Sequence, residues 1–377
     1  MQDVNEKPSG RLALFIPSLN GGGAERVMVS LANGFARRGI NVDLVLVRDI
    51  GVYRAEVAPE VRVVDLKGKR ALTSLFSLAN YLRREKPAAM LSAMNYVNVV
   101  AVWARFVSAS PTRLVLSEHA NLSQAVADTK GMVSKVLPWL MKVSYSRADA
   151  IVAVSDGVAD DLSRTLGYSR TAVETRHNPI ETVELALKSL DPLNHPWFAS
   201  GEPPVIIGVG RLSKEKDFPT LIKAFGHLRR STNARLVILG EGGERPFVES
   251  HKDASEFKDD ILLAGFQGNP YNWMRGASVF VLSSRWEGFG NVLVEAMACG
   301  TPVVSTHCPS GPDEILEQGK WGRLAPVGDA IALADAIRQT LADKTPPDVK
   351  KRADAFSVDH AIDGYLNVLD PERSRFV

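Results

Sequence analysis

Short apolar runs alternate with longer stretches whose apolar positions recur every three or four residues, and the alternation is sustained along the chain. Runs at 11–17, 41–47, 61–66, 89–93, 114–117, 150–154 and 171–176 are brief and bounded by polar or turn-forming residues, which predicts buried strands. Between them, 26–38, 71–86 and 96–107 have helical spacing; in 71–86, Leu72, Leu75, Leu78, Ala79 and Leu82 fall on one side. Ser155 and Asp156 cap a further helix that runs through Leu166. Strands alternating with helices predict a parallel, doubly wound sheet. From about Glu181 to Pro204 the pattern lapses into breaker-rich sequence, as at a domain boundary. A second set of strands follows at 205–209, 235–239, 261–264, 279–282 and 302–306. Helices are expected at 219–230 and 330–342, and a largely helical tail at 350–369.

At 377 residues the chain is long enough for two domains. Its 45% hydrophobic and 23% charged content is that of an ordinary globular protein, and a net charge of +2 gives no global reason to expect nucleic acid. The two cysteines, Cys299 and Cys308, have neither metal nor redox spacing, so reduced thiols are expected. Residues 1–10 lack the apolar core of a signal peptide, and no run of about 18 apolar residues occurs. A cytoplasmic protein is expected.

The candidate chemistry lies where strands end. Glu287-Gly-Phe-Gly-Asn-Val-Leu-Val-Glu295 follows the strand at 279–282 and opens a helix. Such a loop leaves backbone N–H groups bare at a helix start, where a phosphate or a polar sugar can bind. Glu295 falls about one turn into that helix, so two carboxylates reach one polyol-binding pocket. Arg211 and Lys216 flank another strand-to-helix loop, either as solvated charges or as a fork and a point charge for a diphosphate. Gly-Gly-Gly-Ala-Glu at 21–25 is either an anion cradle or a tight turn; it is neither a dinucleotide fingerprint nor a P-loop. His119 ends a strand, where ligands bind in such sheets, though a lone histidine is also a common structural residue. The stretch 131–147 interleaves Trp139 and aliphatic residues with Lys135, Lys142 and Arg147, and Lys130 precedes it. It reads as a core helix with solvated lysines or as a helix lying on an anionic membrane. Asp-x-Asp is absent from the sequence, so nothing marks a metal-held diphosphate.

These motifs, in this order, resemble the retaining GT-B glycosyltransferases of family 4. The resemblance rests on Gly-Gly-Gly-Ala-Glu, on Gly-Arg-Leu-Ser-Lys-Glu-Lys-Asp at 210–217, on Glu-x7-Glu at 287–295 and on Gly-Thr-Pro-Val at 300–303. It covers nearly the whole chain. The resemblance implies two facing Rossmann-like domains: an acceptor domain at 1–185, a linker at 186–204, a donor domain at 205–356, and a helix at 357–377 returning to the first. It further implies that Arg211 and Lys216 hold the donor diphosphate and that Glu295 binds ribose. Glu287 and the 288–292 segment (Gly288, Phe289, Gly290, Asn291, Val292) take the donor sugar. Phe266 and Gln267 lie near the base, Gly22 and Gly23 approach the diphosphate, Gly240 and Glu241 line the donor site, and His119 sits by the anomeric carbon. The family's Gly-x-Gly-Pro appears here as Gly240-Glu-Gly-Gly243, and its Gly-Gly before the last-loop glutamate as Ser310-Gly-Pro-Asp-Glu314.

No cofactor or metal is expected, and the implied partners are a nucleotide sugar, UDP favoured, and a glycan acceptor. Similarity to bacterial enzymes of surface polysaccharides points to a polyprenyl-diphosphate-linked acceptor on the inner membrane face. The basic residues Lys69, Arg70, Arg83, Arg84 and Lys86 fit docking there. The alternatives are a nucleotide-sugar epimerase on a similar frame and a non-catalytic nucleotide-sugar-binding protein.

Overall fold

The computed structural model describes residues 10–128 and 132–371, with the side chains of 128–135 outside that description. Two compact units emerge: residues 1–179 with 358–377, and residues 180–357.

The first unit begins with β1 (Leu12–Ile16), α1 (Gly23–Arg37), β2 (Val42–Leu46), β3 (Arg62–Asp65), α2 (Leu75–Glu85), β4 (Ala89–Ala93) and α3 (Asn95–Ser108). It continues with β5 (Arg113–Glu118), α4 (Leu122–Asp128), α5 (Met132–Tyr145), β6 (Ala150–Ala153), α6 (Asp156–Leu166) and β7 (Glu174–Thr175). The strands pair in parallel in the order β3-β2-β1-β4-β5-β6-β7. Continuous apolar runs suit strands covered on both faces, and β1, β2 and β4 are buried at every position. The order reverses between β1 and β4, so the loops after these strands open a crevice at the carboxyl edge of the sheet. Ser155 caps α6 as expected, its Oγ accepting the Val158 N–H at 3.1 Å. The run at 171–176 forms only a two-residue strand after a single 3-10 turn.

The second unit holds α7 (Thr182–Lys188), β8 (Val205–Val209), α8 (Phe218–Arg229), β9 (Arg235–Leu239), α9 (Arg245–Asp253), β10 (Ile261–Gly265), α10 (Tyr271–Gly276) and β11 (Val279–Leu282). It ends with α11 (Asn291–Ala298), β12 (Val303–Thr306), α12 (Pro312–Leu316), β13 (Arg323–Ala325), α13 (Ala330–Leu341) and α14 (Val349–Asp354). Its parallel order β10-β9-β8-β11-β12-β13 again reverses once, between β8 and β11. Residues 186–204, expected as a linker, are folded into this unit. His195 packs at a tilt on Trp273 with centroids 5.3 Å apart, and Phe198 meets the same ring edge-on at 5.4 Å. Aromatic contacts thus hold a stretch whose proline and glycine content suggested no order.

The tail is largely helical, as expected, and consists of two helices. After α14 the chain turns at Phe356 and Ser357 and forms α15 (Val358–Leu369), which packs on α1 in the first unit. Gly34 makes this approach possible: a Cβ there would lie 2.2 Å from Ile362 Cδ1. Arg113 donates to the Val368 carbonyl at 2.9 Å, Arg176 to that of Gly364 at 3.1 Å, and Arg38 pairs with Asp363. Val358, Ile362, Tyr365 and Leu366 complete the core that β1, β2 and α1 begin.

Candidate active site

In the second unit three loops at the carboxyl edge are laced together by backbone hydrogen bonds. Gly240 N–H donates to the Gly265 carbonyl at 2.8 Å, Leu212 N–H to that of Glu241 at 2.9 Å, and Glu244 N–H to that of Leu212 at 3.0 Å. The crossing needs glycine. Gly240 has φ of 134°, and a Cβ there would lie 1.9 Å from the Gly210 carbonyl oxygen. This is the region of backbone space that L-residues avoid.

Lys216 and Glu287 meet at this edge, Nζ to Oε1 at 2.6 Å, although 71 residues separate them. Ser284 donates its hydroxyl to the same Oε1 at 2.6 Å, and Ser283 donates to the Lys216 carbonyl at 2.8 Å. Both partners are largely buried, so each holds the other's charge in place of water. A ligand that joins an anionic phosphate to a hydroxyl-rich sugar can address both, the phosphate accepting from Lys216 and a hydroxyl donating to Glu287.

Asp217, which sequence reasoning passed over, locks this loop from behind. It is buried in the left-handed region with φ of 46°, accepts from Thr220 at 2.9 Å, and pairs with Arg285 at 3.1 Å. Its signal was the Lys-Asp-Phe-Pro step, since Asp tolerates that conformation before a helix-opening proline.

Gly290 (φ 98°) precedes α11, and the buried carboxylate of Glu295 lies one turn inside that helix. The Phe289 side chain turns into the core against Phe356, leaving the backbone of 288–291 at the helix start. Gly311 crosses behind it, where a Cβ would lie 1.8 Å from the Phe289 carbonyl oxygen; neighbouring Ser310 is buried at positive φ. Cys308 sits near Glu287, and burial with that carboxylate pushes its thiol up to about 12; burial does the same to Cys299. Arg211 stands exposed on the Lys216 loop, Phe266 is 75% exposed after β10, and Gln267 donates its amide to Ala264 at 2.7 Å. Glu241 pairs with Arg245. The structure therefore brings Lys216 and Glu287 together and sets Glu295 on the adjoining helix; Arg211, Phe266 and Glu241 are at the surface of this edge.

In the first unit, Gly22 is the N-cap of α1, and Gly23 its first residue. Glu25 folds back over the loop, so that a Cβ on Gly22 would lie 2.1 Å from its carboxylate. His119 follows β5, its Nε2 2.9 Å from Ser117 Oγ, and burial holds the imidazole down at about 4. Its Nδ1 is buried and has no partner among the described residues. On the opposite side of the strand, Glu118 accepts from Tyr145 of α5 and from Asn98 of α3 at 2.9 Å. Burial raises this carboxyl to about 7. Asn98 also donates to the Ser117 carbonyl at 3.0 Å, so two helices fix the strand end that presents His119. Glu118 and Asn98 were not singled out from sequence; a polar residue inside an apolar helical run, as at Asn98, was the available signal.

Two doubly wound units with charged residues gathered at their strand ends define a two-domain ligand-binding α/β protein. Residues 21–184 match the family model Glycosyltransferase Family 4, and residues 194–356 match Glycosyl transferases group 1. The chain belongs to this family and is a glycosyltransferase. It is 30% identical over 333 residues to the lipopolysaccharide core biosynthesis glycosyltransferase LpsE of Rhizobium meliloti, covering 86% of this chain and 87% of that one. It is 29% identical over 344 residues to a Campylobacter jejuni N-acetylgalactosamine-N,N'-diacetylbacillosaminyl-diphospho-undecaprenol 4-alpha-N-acetylgalactosaminyltransferase, covering 88% and 90%. Among solved structures, Anabaena HepE in complex with UDP-glucose aligns over 96% of this chain and 100% of its own, with a TM-score of 0.79 at 20% identity. The fold is GT-B.

Proposed function

We propose that the protein transfers a hexose or N-acetylhexosamine from a UDP-sugar to a polyprenyl-diphosphate-linked glycan, with retention at the anomeric carbon and without a metal ion, in the synthesis of a surface polysaccharide. The observation that carries this reading is the Lys216–Glu287 pair, 2.6 Å apart at the switch point of the second sheet. There Lys216, with Arg211 and the N-terminus of α11, meets the donor diphosphate. Glu287 and the 288–292 backbone take sugar hydroxyls, and Glu295 takes the ribose. The glycosidic C1–O bond to phosphate breaks as the bond from the acceptor oxygen forms on the same face of the sugar. The acceptor proton passes to the departing phosphate oxygen, whose growing charge the preorganised cations stabilise. Neutral His119 serves the sugar in the first unit, where the acceptor also binds. The relatives' names support the acceptor class: one acts on a diphospho-undecaprenol glycan and another in lipopolysaccharide core synthesis.

A place on the cytoplasmic membrane surface belongs to the same reading. Among the described residues no helix is long and apolar enough to cross a membrane. Residues 67–147 hold twelve Lys or Arg against three Asp or Glu, in a chain that has 45 against 43 overall. In the first unit, α3 packs between α2 and α5. Along these neighbouring helices Phe76, Phe106 and Trp139 are 75%, 69% and 62% exposed, while Met141 and Tyr145 of α5 point into the core. Large apolar side chains among lysines and arginines suit an anionic bilayer, into which the rings insert while the cations meet head groups. Lys130 and Gly131 lie outside the described residues.

The test is a transfer assay that pairs a panel of nucleotide sugars with polyprenyl-diphosphate-linked acceptors, together with donor-only controls. Release of UDP that depends on acceptor, with an α-linked product from an α-linked donor, is expected and should persist in EDTA. Release of nucleotide and epimerised sugar without acceptor would overturn the reading in favour of an epimerase.

A further inference from the structure

Two serines follow the last residue of β11, and they serve different partners. Both are buried. Ser283 donates its hydroxyl to the Lys216 carbonyl at 2.8 Å, which fixes the lysine's own backbone. Ser284 donates to Glu287 Oε1 at 2.6 Å, the oxygen that Lys216 Nζ also reaches at 2.6 Å. The backbone around Ser284 is itself tied down. Thr306 Oγ1 donates to the Ser284 carbonyl at 2.5 Å, and Arg285 N–H to the Glu215 carbonyl at 2.7 Å. Glu287 N–H donates to the Pro309 carbonyl at 3.3 Å. A carboxylate oxygen accepts about two hydrogen bonds in its plane. Oε1 has both, and no hydrogen bond among the described residues ends on Oε2, so a further donor goes there. The second donor on Oε1 matters because the last torsion of a glutamate is broad and roughly two-fold. Lys216 is a single point charge that can follow either oxygen. Two donors that converge on one oxygen, one from each loop, define the plane of the carboxylate.

We propose that Ser284 is a positioning residue that sets the Glu287 carboxylate so that Oε2 accepts from one hydroxyl of the transferred sugar, and that it thereby makes the donor site select for that hydroxyl. That Glu287 meets the sugar rests on the function proposed above. Ser284 acts through Glu287 and needs no contact with the sugar of its own. A site oriented to accept one proton leaves a buried charge unserved when the hydroxyl is missing, which is the basis of strong discrimination. Without Ser284 the carboxylate can turn about Lys216 and present either oxygen, so the preference blurs. The pair of serines carries the signature of this role: at a solvated strand end both would be exposed, whereas here both are enclosed and each commits its one proton to a site residue.

The experiment reads discrimination rather than activity. With the full chain, kcat/KM is measured for the nucleotide sugar that supports the fastest transfer and for its deoxy analogues, each lacking one sugar hydroxyl. In the wild type one of these deletions should cost about 10–100-fold, the scale of a hydrogen bond to a charged group. In Ser284→Ala that ratio should fall about tenfold, while the ratios for the other deletions stay as they are. Ser284→Thr, which keeps the hydroxyl, should retain the wild-type ratio. Ser284→Cys, near in size but a weak donor, should behave like Ser284→Ala. Glu287→Gln should abolish the same preference, and adding Ser284→Ala to it should change the ratio no further, because both act through one carboxylate. A merely structural serine would lower kcat/KM for every donor by one factor and leave all ratios unchanged in Ser284→Ala. That result would overturn the proposal and leave the proposed function standing, as would wild-type discrimination in Ser284→Cys or a wild type indifferent to every deletion. If no nucleotide sugar is transferred at all, the proposed function falls and the role of Ser284 falls with it.

Discussion

At the scale of residues, the site is a set of charges made stable by one another. Lys216 and Glu287 are each too enclosed to rely on water, and Ser284 supplies the carboxylate with a further donor. An ion pair of this kind adds little net stability, because desolvation offsets attraction, but removing one member leaves an uncompensated charge. Retaining such a pair at a strand end is consistent with a site that must recognise a ligand of mixed polarity. Lys216→Ala should therefore act in two ways. It should lower kcat about 10²–10³-fold, the range seen when one preorganised charge donor is lost, and it should also lower the unfolding midpoint. Steady-state kinetics beside chemical denaturation separate the two, and unchanged turnover would exclude a leaving-group role for Lys216. Lys216 and Glu287 were both legible as candidates because they flank glycine-bearing loops after apolar runs. Their direct contact was not, since it joins loops 71 residues apart.

At the scale of elements, loop crossings decide the shape of the donor side. The strands at 89–93, 205–209, 235–239 and 279–282 fall where apolar periodicity places them, because a fully covered strand has no polar face to blur the signal. Helices α9, α10 and α12 were not anticipated: they are short and owe their order to packing rather than to repeated spacing. The Gly240 crossing illustrates what these loops demand. Gly240→Ala combines a positive φ with a methyl group 1.9 Å from the Gly210 oxygen. Its cost should reach about 1–3 kcal/mol or more, read as a shift in the denaturation midpoint. Gly243, where a Cβ would meet nothing within 4 Å, is the control, and Gly243→Ala should leave the midpoint nearly unchanged. Equal effects at the two positions would contradict the close crossing.

At the scale of the whole molecule, charge is divided unevenly although the total is near zero. The segment 67–147 is strongly basic, and the rest of the chain is correspondingly acidic. Such a distribution orients a protein on an anionic surface without making it a general polyanion binder. Flotation with vesicles containing anionic lipid should recover the protein at low salt, and vesicles of neutral lipid should not. Trp139→Ala and Phe76→Ser together should weaken recovery more than salt-matched loss of one lysine, because ring insertion adds an apolar contribution that salt does not screen. No co-migration with anionic vesicles at low salt would remove the membrane surface from the proposed function.

By itself the sequence determined the class of fold, most of the strands and the longer helices, the family and most of the charged candidates. These follow from local spacing and from short motifs, each contained in a few consecutive residues. Only the tertiary structure decided the rest, because it depends on residues far apart in the chain. It folds the breaker-rich stretch 186–204 into the second unit through tilted and edge-on ring contacts. It closes Lys216 on Glu287, and it brings Asn98 and Tyr145 from two helices to Glu118. His119 shows the division most clearly. Its place at a strand end was readable from the apolar run before it, whereas the burial that keeps its imidazole neutral comes from elements packed around it in the fold.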